Sequence, residues 1–170
     1  MNKTQINEKA DFLIKKSKKS GADSVDVLYV ENTNIDIGCR LKRIEKLERS
    51  ESNDMGLRFI KNKRQVIVSS NDLNKKSLEE LVFKASKMVK AVPKDPYCAI
   101  ATKKDIIKII PNLKIFDSKE PSIKSLKDKV IEAEKAGLNV KGVTNSEGAE
   151  IGWNKSKIHL FNSNGLNVNY

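Results

Sequence analysis

Three stretches of the chain place apolar residues on one face at helical spacing. They span residues 4–20, 75–90 and 123–136, and each predicts an amphipathic helix. Residues of helix-capping type flank them, namely Asn74 and Ser122 before the second and third helices, and Gly21 and Gly137 after the first and third.

Between the first two helices the pattern changes to short runs of β-branched residues with period-2 alternation. Residues 24–30, 34–39, 43–51, 55–60 and 65–70 are predicted as strands. Turns are predicted near Leu41–Lys42 and at 61–64, "KNKR". Because the links between these strands are short, the sheet is expected to be largely antiparallel.

This order of elements predicts an α+β fold, in which a helix, an antiparallel sheet and a second helix form a layered domain over residues 1–92. Residues 93–121 are punctuated by proline and predict an ordered connector. Its segments "IIKII" (106–110) and "LKIF" (113–116) are too apolar for a free linker, so they are expected to lie against a domain.

Residues 122–170 are predicted to begin a second domain, a helix followed by an antiparallel β-meander. The apolar face of this third helix includes Ala133, and strands are predicted at 139–143 and 149–161, with another starting at Leu166. Because that last strand is so short, the sequence indicates the front of a longer protein.

A nine-residue pattern occurs twice in this region, as "NSEGAEIGW" (145–153) and "NSNGLNVNY" (162–170). Asn, Ser and Gly favour turns, so each copy predicts a hairpin corner that feeds a new strand. Two pairs on equivalent strand positions are then expected to cover a common core against the third helix, namely Ile151 with Trp153 and Val168 with Tyr170.

The net charge of +11 raises the question of nucleic-acid binding. Lysine outnumbers arginine 28 to 5, and the lysines are dispersed among acidic residues, so a dedicated nucleic-acid surface is not expected. The sequence has no apolar run of the roughly 20 residues that cross a bilayer. The N-terminus interrupts its apolar residues with charge and lacks the pattern of a signal peptide. A cytoplasmic protein without a membrane segment is therefore predicted.

Candidate chemistry is sparse. The single histidine, His159, alternates with Ile158 and Leu160, which predicts a histidine on the strand surface. Cys39 and Cys98 lack metal-ligand spacing and are expected to be reduced and structural. Three glutamates of one predicted strand are interpreted as a solvated rim, namely Glu45, Glu48 and Glu51. Catalytic, metal and cofactor-binding residues are accordingly predicted to be absent from this chain.

Four segments of the chain form a recognisable series in their order and spacing, namely "SGADSVDVLYVE", "RLKRIEKLERSESNDMGLRFIKNKRQVIVSSNDL", "DPYCAIA" and "VTNSEGAEIGWNKSKIHLFNSNGLNVNY". Together they resemble the TldD/PmbA family, and within it the PmbA (TldE) branch. Within the second segment, family-type residues stand at Glu45, Ser50, Glu51, Gly56, Arg58 and Ser69 to Asp72. Members usually have glycine where this chain has Lys42, and often where it has Ser52.

The resemblance implies the N-terminal portion of a non-catalytic subunit. In this family a TldD-like subunit carries zinc on a His-Glu-x-x-x-His helix and forms a heterodimer with the PmbA/TldE subunit. The assembly is a cytoplasmic protease that cuts peptides or unfolded proteins and matures microcin-type precursors. Zinc is therefore expected in the partner subunit and not in this chain.

Two hypotheses about function remain open at the level of sequence. One is a part of that protease assembly. The other is a binding module without a protease role, such as a nucleic-acid- or gyrase-associated modulator, which an older family name encodes. Whether a His-Glu-x-x-x-His motif lies in downstream sequence would distinguish the subunits.

Overall fold

The structure, a computed structural model, describes residues 1–106 and 111–170. Its helices are α1 (Lys3–Lys19), α2 (Lys75–Met88) and α3 (Ile123–Leu138). Its strands are β1 (Ser24–Arg40), β2 (Arg43–Lys61), β3 (Arg64–Ser70), β4 (Ala149–Asn162) and β5 (Asn167–Asn169). The strands of this part of the chain form one sheet in the order β3-β2-β1-β4-β5. The predicted α+β class is confirmed, and no described helix is both long and apolar enough to cross a membrane.

The first two strands are longer than the sequence pattern predicts. The predicted strands 24–30 and 34–39 are one strand, β1, and the predicted strands 43–51 and 55–60 are one strand, β2. The polar residues that separate them carry neither glycine nor proline. Polarity alone does not end a strand, because the backbone continues its ladder while the side chains face solvent.

Two tight turns connect β1 to β2 and β2 to β3, as predicted. Leu41 and Lys42 have φ values of 48° and 64°, and Asn62 and Lys63 have 50° and 58°. Positive φ at both central residues is the geometry of two-residue hairpins, which matches the twist of the flanking strands. Lys42 therefore adopts the left-handed conformation without the freedom of glycine.

The described chain divides into two compact units, each assembled from separated segments. Unit 1 consists of residues 1–31, the described parts of 52–110, and 157–170. Unit 2 consists of residues 32–51 and 111–156. The contiguous division into 1–92, 93–121 and 122–170 stays a prediction about domain organisation.

Unit 1 has its core between two helices and the sheet. Asn2 caps α1 in a capping box with Gln5, and Asn74 caps α2 through Ser77 N. The apolar faces of both helices are largely buried as predicted, although Met88 of the α2 face is 46% exposed. The core combines Ile6, Ala10 and Leu13 of α1, Leu78, Leu81, Val82 and Ala85 of α2, and Val25, Val27, Tyr29, Met55, Leu57, Phe59 and Phe161 of the strands.

Unit 2 has a smaller core between α3 and the strands. Its buried residues are Ile35, Ile37, Cys39, Leu126 and Val130, with half-buried Ile44, Ile123, Ile131, Ala149, Ile151 and Trp153 around them. Ser122 caps α3 as predicted.

The end of α3 differs from the prediction in two respects. The helix continues through Gly137 to a cap at Asn139, so Gly137 is not its stop. Ala133 is exposed, and the neighbouring Glu134 is buried in its place. A carboxylate at that position needs hydrogen-bond donors, and the turn at Leu41–Lys42 supplies them.

Two further predictions about unit 2 are wrong. Residues 139–143 form turns and not a strand, since Val140 N bonds Gly137 O, Val143 N bonds Val140 O, and Gly142 has φ 94°. The "LKIF" segment is not buried against a domain. Leu113, Ile115 and Phe116 are each more than 60% exposed. Most of "IIKII", residues 107–110, lies outside the described residues.

Only the second Asn-Ser-x-Gly copy is a hairpin corner in the described chain. It joins β4 to β5, with Leu160 opposite Val168. The first copy leads into β4, but the element before it is α3, so it does not join two strands. Ile151 and Trp153 pack in unit 2, whereas Val168 is half-buried in unit 1 and Tyr170 is 61% exposed. The expected common core is therefore wrong.

Candidate functional site

No group of three or more potential metal ligands occurs in residues 1–106 and 111–170. Catalytic zinc sites in proteins use about three protein ligands and keep one position open. The full sequence has one histidine, so any site would depend on cysteines and carboxylates. The described residues of this chain thus do not supply the donor set that a catalytic zinc ion needs.

His159 is buried, which corrects the prediction of a surface histidine. Its ring meets Tyr29 edge-on with centroids 6.0 Å apart and stacks on Phe161 at 6.3 Å. Burial lowers the pKa of His159, and its Nδ1 is buried without a hydrogen-bond partner in the described structure. His159 and Phe161 share the core face of β4, while Ile158 and Leu160 are half-buried on the other. Because β4 carries apolar residues on both faces, the alternation of apolar residues did not show which face is buried.

Glu31 lies at the centre of a charged cluster in unit 1. Its Oε2 accepts hydrogen bonds from Tyr29 Oη at 2.9 Å and from the amino terminus of Met1 at 3.2 Å, and its Oε1 accepts one from Lys157 Nζ at 2.6 Å. The bond from Lys157 is the main cause that lowers the pKa of Glu31 to about 2. Burial, reinforced by Glu31, raises the pKa of Tyr29 to about 12.

This cluster predicts a stability loss in acid. The pKa of Glu31 is depressed by folding, so its contribution is complete above the usual pKa near 4.5 and is lost as pH falls towards about 2. We expect the difference in free energy of unfolding between the wild-type protein and Glu31→Gln to be largest above about pH 5. It should vanish towards about pH 2. Urea unfolding at a series of pH values measures it, and a difference that does not depend on pH would contradict this assignment.

Cys39 and Cys98 are both free and buried, in agreement with the prediction of structural thiols. Cys39 Sγ donates to Val130 O at 3.3 Å. Burial, followed by the nearby charge of Glu134, raises the pKa of the Cys39 thiol. Because the thiolate is the nucleophilic form, this environment opposes nucleophilic catalysis by Cys39.

Glu134 forms a polar site in unit 2 that binds the backbone of a turn. Its Oε1 accepts a hydrogen bond from Leu41 N at 2.7 Å, and its Oε2 accepts one from Lys42 N at 2.8 Å. These backbone bonds, the one from Lys42 first, lower the pKa of Glu134 against the opposing effect of burial. The site, which we call the Glu134 clamp, holds both central residues of the β1–β2 turn.

The Glu134 clamp was missed from the sequence. An apolar helical face predicts the nearby Ala133 at the core. The one available signal was Lys42 in a turn where family members usually have glycine. A turn without glycine needs support from elsewhere, and the carboxylate provides it.

Gly148 packs against the same strand end. Its φ is 113°, and a Cβ built there would lie 2.6 Å from Cys39 O, a backbone atom that cannot easily move. Gly165 has a similar φ of 99° but open space around it.

We expect Gly148→Ala to destabilise the protein more than Gly165→Ala does. Both substitutions strain a left-handed backbone, at about 1–3 kcal/mol, and only the first adds a backbone clash. Chemical denaturation of both variants measures the difference. Equal losses would show that the contact with Cys39 relaxes freely.

The described surface of unit 2 includes two grooves of interest. One, of about 240 Å³, is lined by Gly38, Cys39, Glu45, Lys46 and residues 147–150. The other, of about 630 Å³, is lined by Trp153, Ser122, Ser125, Lys129 and residues from 117 to 121. The first groove contains Cys39 and Glu45, but burial raises the pKa of the Cys39 thiol, which opposes its use as a nucleophile. Glu45, Glu48 and Glu51 are exposed on β2, in agreement with the predicted rim.

Residues 25–89 match the family model described as PmbA/TldA metallopeptidase domain 1. No curated protein matches the sequence significantly.

Three solved structures share the fold. TldE from Thermococcus kodakarensis is 21% identical with a TM-score of 0.75, and the match covers 95% of this chain and 36% of that one. A protein from Bacteroides thetaiotaomicron VPI-5482, described as a candidate modulator of DNA gyrase, is 23% identical with a TM-score of 0.75 over 96% of this chain and 38% of that one. A protein of Thermotoga maritima MSB8 with the same description is 15% identical with a TM-score of 0.74, over 97% and 37%.

The chain therefore spans little more than a third of the length of these structures. The family match spans β1 to α2 and includes most of the first two segments that carried the resemblance, whereas residues 95–101 and 143–170 lie outside it. Residues 25–89 match domain 1 of the PmbA/TldD family, and this match supports the resemblance of the chain to the N-terminal portion of that family.

Proposed function

We propose that this chain forms the N-terminal part of a PmbA/TldE-like, non-catalytic subunit of a zinc metalloprotease. The observation that carries the proposal is the match of residues 25–89 to a metallopeptidase domain. The structural match to TldE favours the PmbA/TldE branch. In this proposal a TldD-like subunit holds the zinc, and the assembly cuts peptides or unfolded proteins in the cytoplasm, including microcin-type precursors.

The chemistry of the described residues supports a non-catalytic role. The only histidine of the chain is enclosed by Tyr29 and Phe161. Glu134, the carboxylate buried in unit 2, is occupied by two backbone N–H groups. The zinc of the proposed assembly would therefore be held by the partner, which supplies the Lewis acid for peptide hydrolysis.

Co-purification tests the proposal. The tagged chain is co-expressed with a TldD-like protein from the same genome, and the complex is assayed for zinc and for hydrolysis of an unstructured quenched peptide. We expect a 1:1 complex in which zinc and hydrolysis require the His-Glu-x-x-x-His motif of the partner. The chain alone should bind less than stoichiometric zinc and cut nothing. Stoichiometric zinc in the chain alone that is lost in His159→Gln would overturn the assignment, as would failure to co-purify.

A second function, modulation of a DNA-associated enzyme, is favoured by the descriptions of two structural matches and by the charge of +11. Dispersed lysines contact phosphates and not base edges, so we expect only non-specific binding that fades steeply between about 50 and 200 mM salt. Fluorescence anisotropy with two unrelated duplexes measures it. A sequence preference that persists at about 150 mM salt would favour this second function.

A further inference from the structure

One long edge of the sheet is unpaired in the described part of the chain. Strand β2 begins at Arg43, but its pairing with β3 starts only at Met55, opposite Ser70. Residues 43–54 therefore have β1 on one side and no described strand on the other. An edge strand presents backbone N–H and C=O groups that can pair with another chain.

The sequence of this edge is complementary to itself when it is reversed. Around Leu47 the chain reads "RIEKLERSE" from Arg43 to Glu51. Reversal about Leu47 places Lys46 opposite Glu48, Glu45 opposite Arg49, and Arg43 opposite Glu51. Every charged residue of the segment thus meets an opposite charge, and Leu47 meets itself.

We propose that residues 43–51 are a docking edge for a second copy of this chain, paired antiparallel about a two-fold axis at Leu47. Directly opposite residues of antiparallel strands have Cβ atoms about 4.5–5.5 Å apart, close enough for cross-strand ion pairs. A two-fold axis also places the same patch on both sides of the interface. This inference goes beyond the proposed protease assembly and does not depend on it.

The charge pattern selects one register. Moving the axis to Lys46 places that lysine opposite its own copy and Arg43 opposite Arg49. Moving it to Glu48 places that glutamate opposite its own copy and Glu45 opposite Glu51. A parallel alignment in register would place every charge opposite a like charge. Since like charges directly opposite destabilise a sheet, these alternatives are disfavoured.

The side chains of this edge are free to form such pairs. Residues 45–51 are all exposed, including Leu47 at 46%. Lys46 and Glu48 already form an ion pair along the strand, at 3.6 Å, and Arg49 contacts Glu51 and Glu120, each at 2.9 Å. Exposed pairs of this kind contribute about 0–1 kcal/mol, so exchanging them for pairs across the interface costs little.

Charge-exchange variants test the pairing. Lys46→Glu brings a glutamate opposite Glu48 of the other copy, and Glu48→Lys brings a lysine opposite Lys46 of the other copy. We expect sedimentation velocity over a concentration series to show dimer for the wild-type chain and a more than tenfold weaker association for each variant. Lys124→Glu, an exposed change on α3, is the matched control and should dimerise like wild type.

An equal mixture of the two variants gives the decisive measurement. In the mixed dimer the introduced glutamate of one variant meets the introduced lysine of the other, and the remaining native Glu48 meets the remaining native Lys46, so association should return. Each variant still carries like charges at positions 46 and 48 of its own strand in the mixture. A return of association in the mixture therefore reports on the interface and not on the stability of the strand. The two variants also shift the net charge in opposite directions, so general repulsion predicts opposite effects and not two losses.

Three results would overturn the inference. The first is a wild-type chain that stays monomeric up to about 1 mM, in which case the charges only protect an edge from association. The second is a dimer that both variants leave unchanged. The third is a mixture of the variants that fails to associate although circular dichroism shows that both are folded.

Discussion

Replacing Glu134 with alanine is expected to lower the thermal midpoint of unfolding by about 10 °C. Each hydrogen bond to a charged group contributes about 1.5–3 kcal/mol to stability. A domain of this size loses about 2–4 °C in its midpoint for each kcal/mol lost. The carboxylate accepts from Leu41 N and Lys42 N, and its loss leaves both N–H groups without this acceptor. The turn they belong to has positive φ at both residues. Thermal unfolding followed by circular dichroism measures the change.

A rescue at the turn distinguishes the Glu134 clamp from a general packing effect. Lys42→Gly removes the strain of a left-handed lysine and makes the turn favourable by itself. We therefore expect Glu134→Ala to lower the midpoint less in the Lys42→Gly background than in the wild type. Glu134→Gln keeps the shape of the side chain but places one amide donor against a backbone donor. Its midpoint of unfolding should fall between those of the wild-type protein and Glu134→Ala. Equal losses in both backgrounds would show that the clamp does not act through the turn.

Phe59→Ala is expected to destabilise the protein by about 3–5 kcal/mol, the usual cost of removing a buried phenylalanine. Phe59 is fully buried in the core of unit 1, where β2 pairs with β3 and Phe59 stands opposite Val66. The surrounding side chains come from helices and strands that cannot all move into the space. Chemical denaturation gives the free energy of unfolding.

Two less buried aromatic residues, Trp153 and Phe83, serve as comparisons for the loss expected in Phe59→Ala. Trp153 is only half-buried at the border of the unit 2 core, so Trp153→Ala should cost less than Phe59→Ala. Phe83 is 61% exposed on α2, and Phe83→Ala should change the free energy of unfolding by no more than about 0.5 kcal/mol. If Trp153→Ala proved as costly as Phe59→Ala, Trp153 would stabilise its unit as strongly as a fully buried aromatic residue does.

Helices were the most predictable part of this fold, because a helix carries its signal locally. The caps Asn74 and Ser122 lie next to the faces that they begin, and both were identified from the sequence. The lengths of β1 and β2 were not predictable in the same way. Nothing at residues 31–33 or 52–54 distinguishes a polar interruption from a polar stretch of a continuing strand. That choice depends on residues elsewhere in the chain that pair with them.

The candidate site shows the same difference between local features and features that depend on distant residues. The spacing of potential metal ligands is a property of the sequence itself, because it concerns residue types and their separations. The environment of His159 could not be predicted from the sequence, since Tyr29 is distant in the chain. The role of Glu134 could not be predicted either, because its hydrogen-bond donors belong to the turn between β1 and β2, which is distant in the sequence. A buried polar residue is recognised only when its partners are known.

The interleaved composition of unit 1 has a consequence for synthesis on the ribosome. Phe161 belongs to the core of this unit, and Ser163 N bonds Val25 O at 2.8 Å, yet all of unit 2 is translated between Val25 and Phe161. Part of the apolar surface of the nascent α1 and of strands β1 to β3 therefore stays uncovered until the end of β4 emerges from the ribosome. Contacts of such long sequence separation form slowly. We expect translation to be the period in which this chain most needs the protection of chaperones.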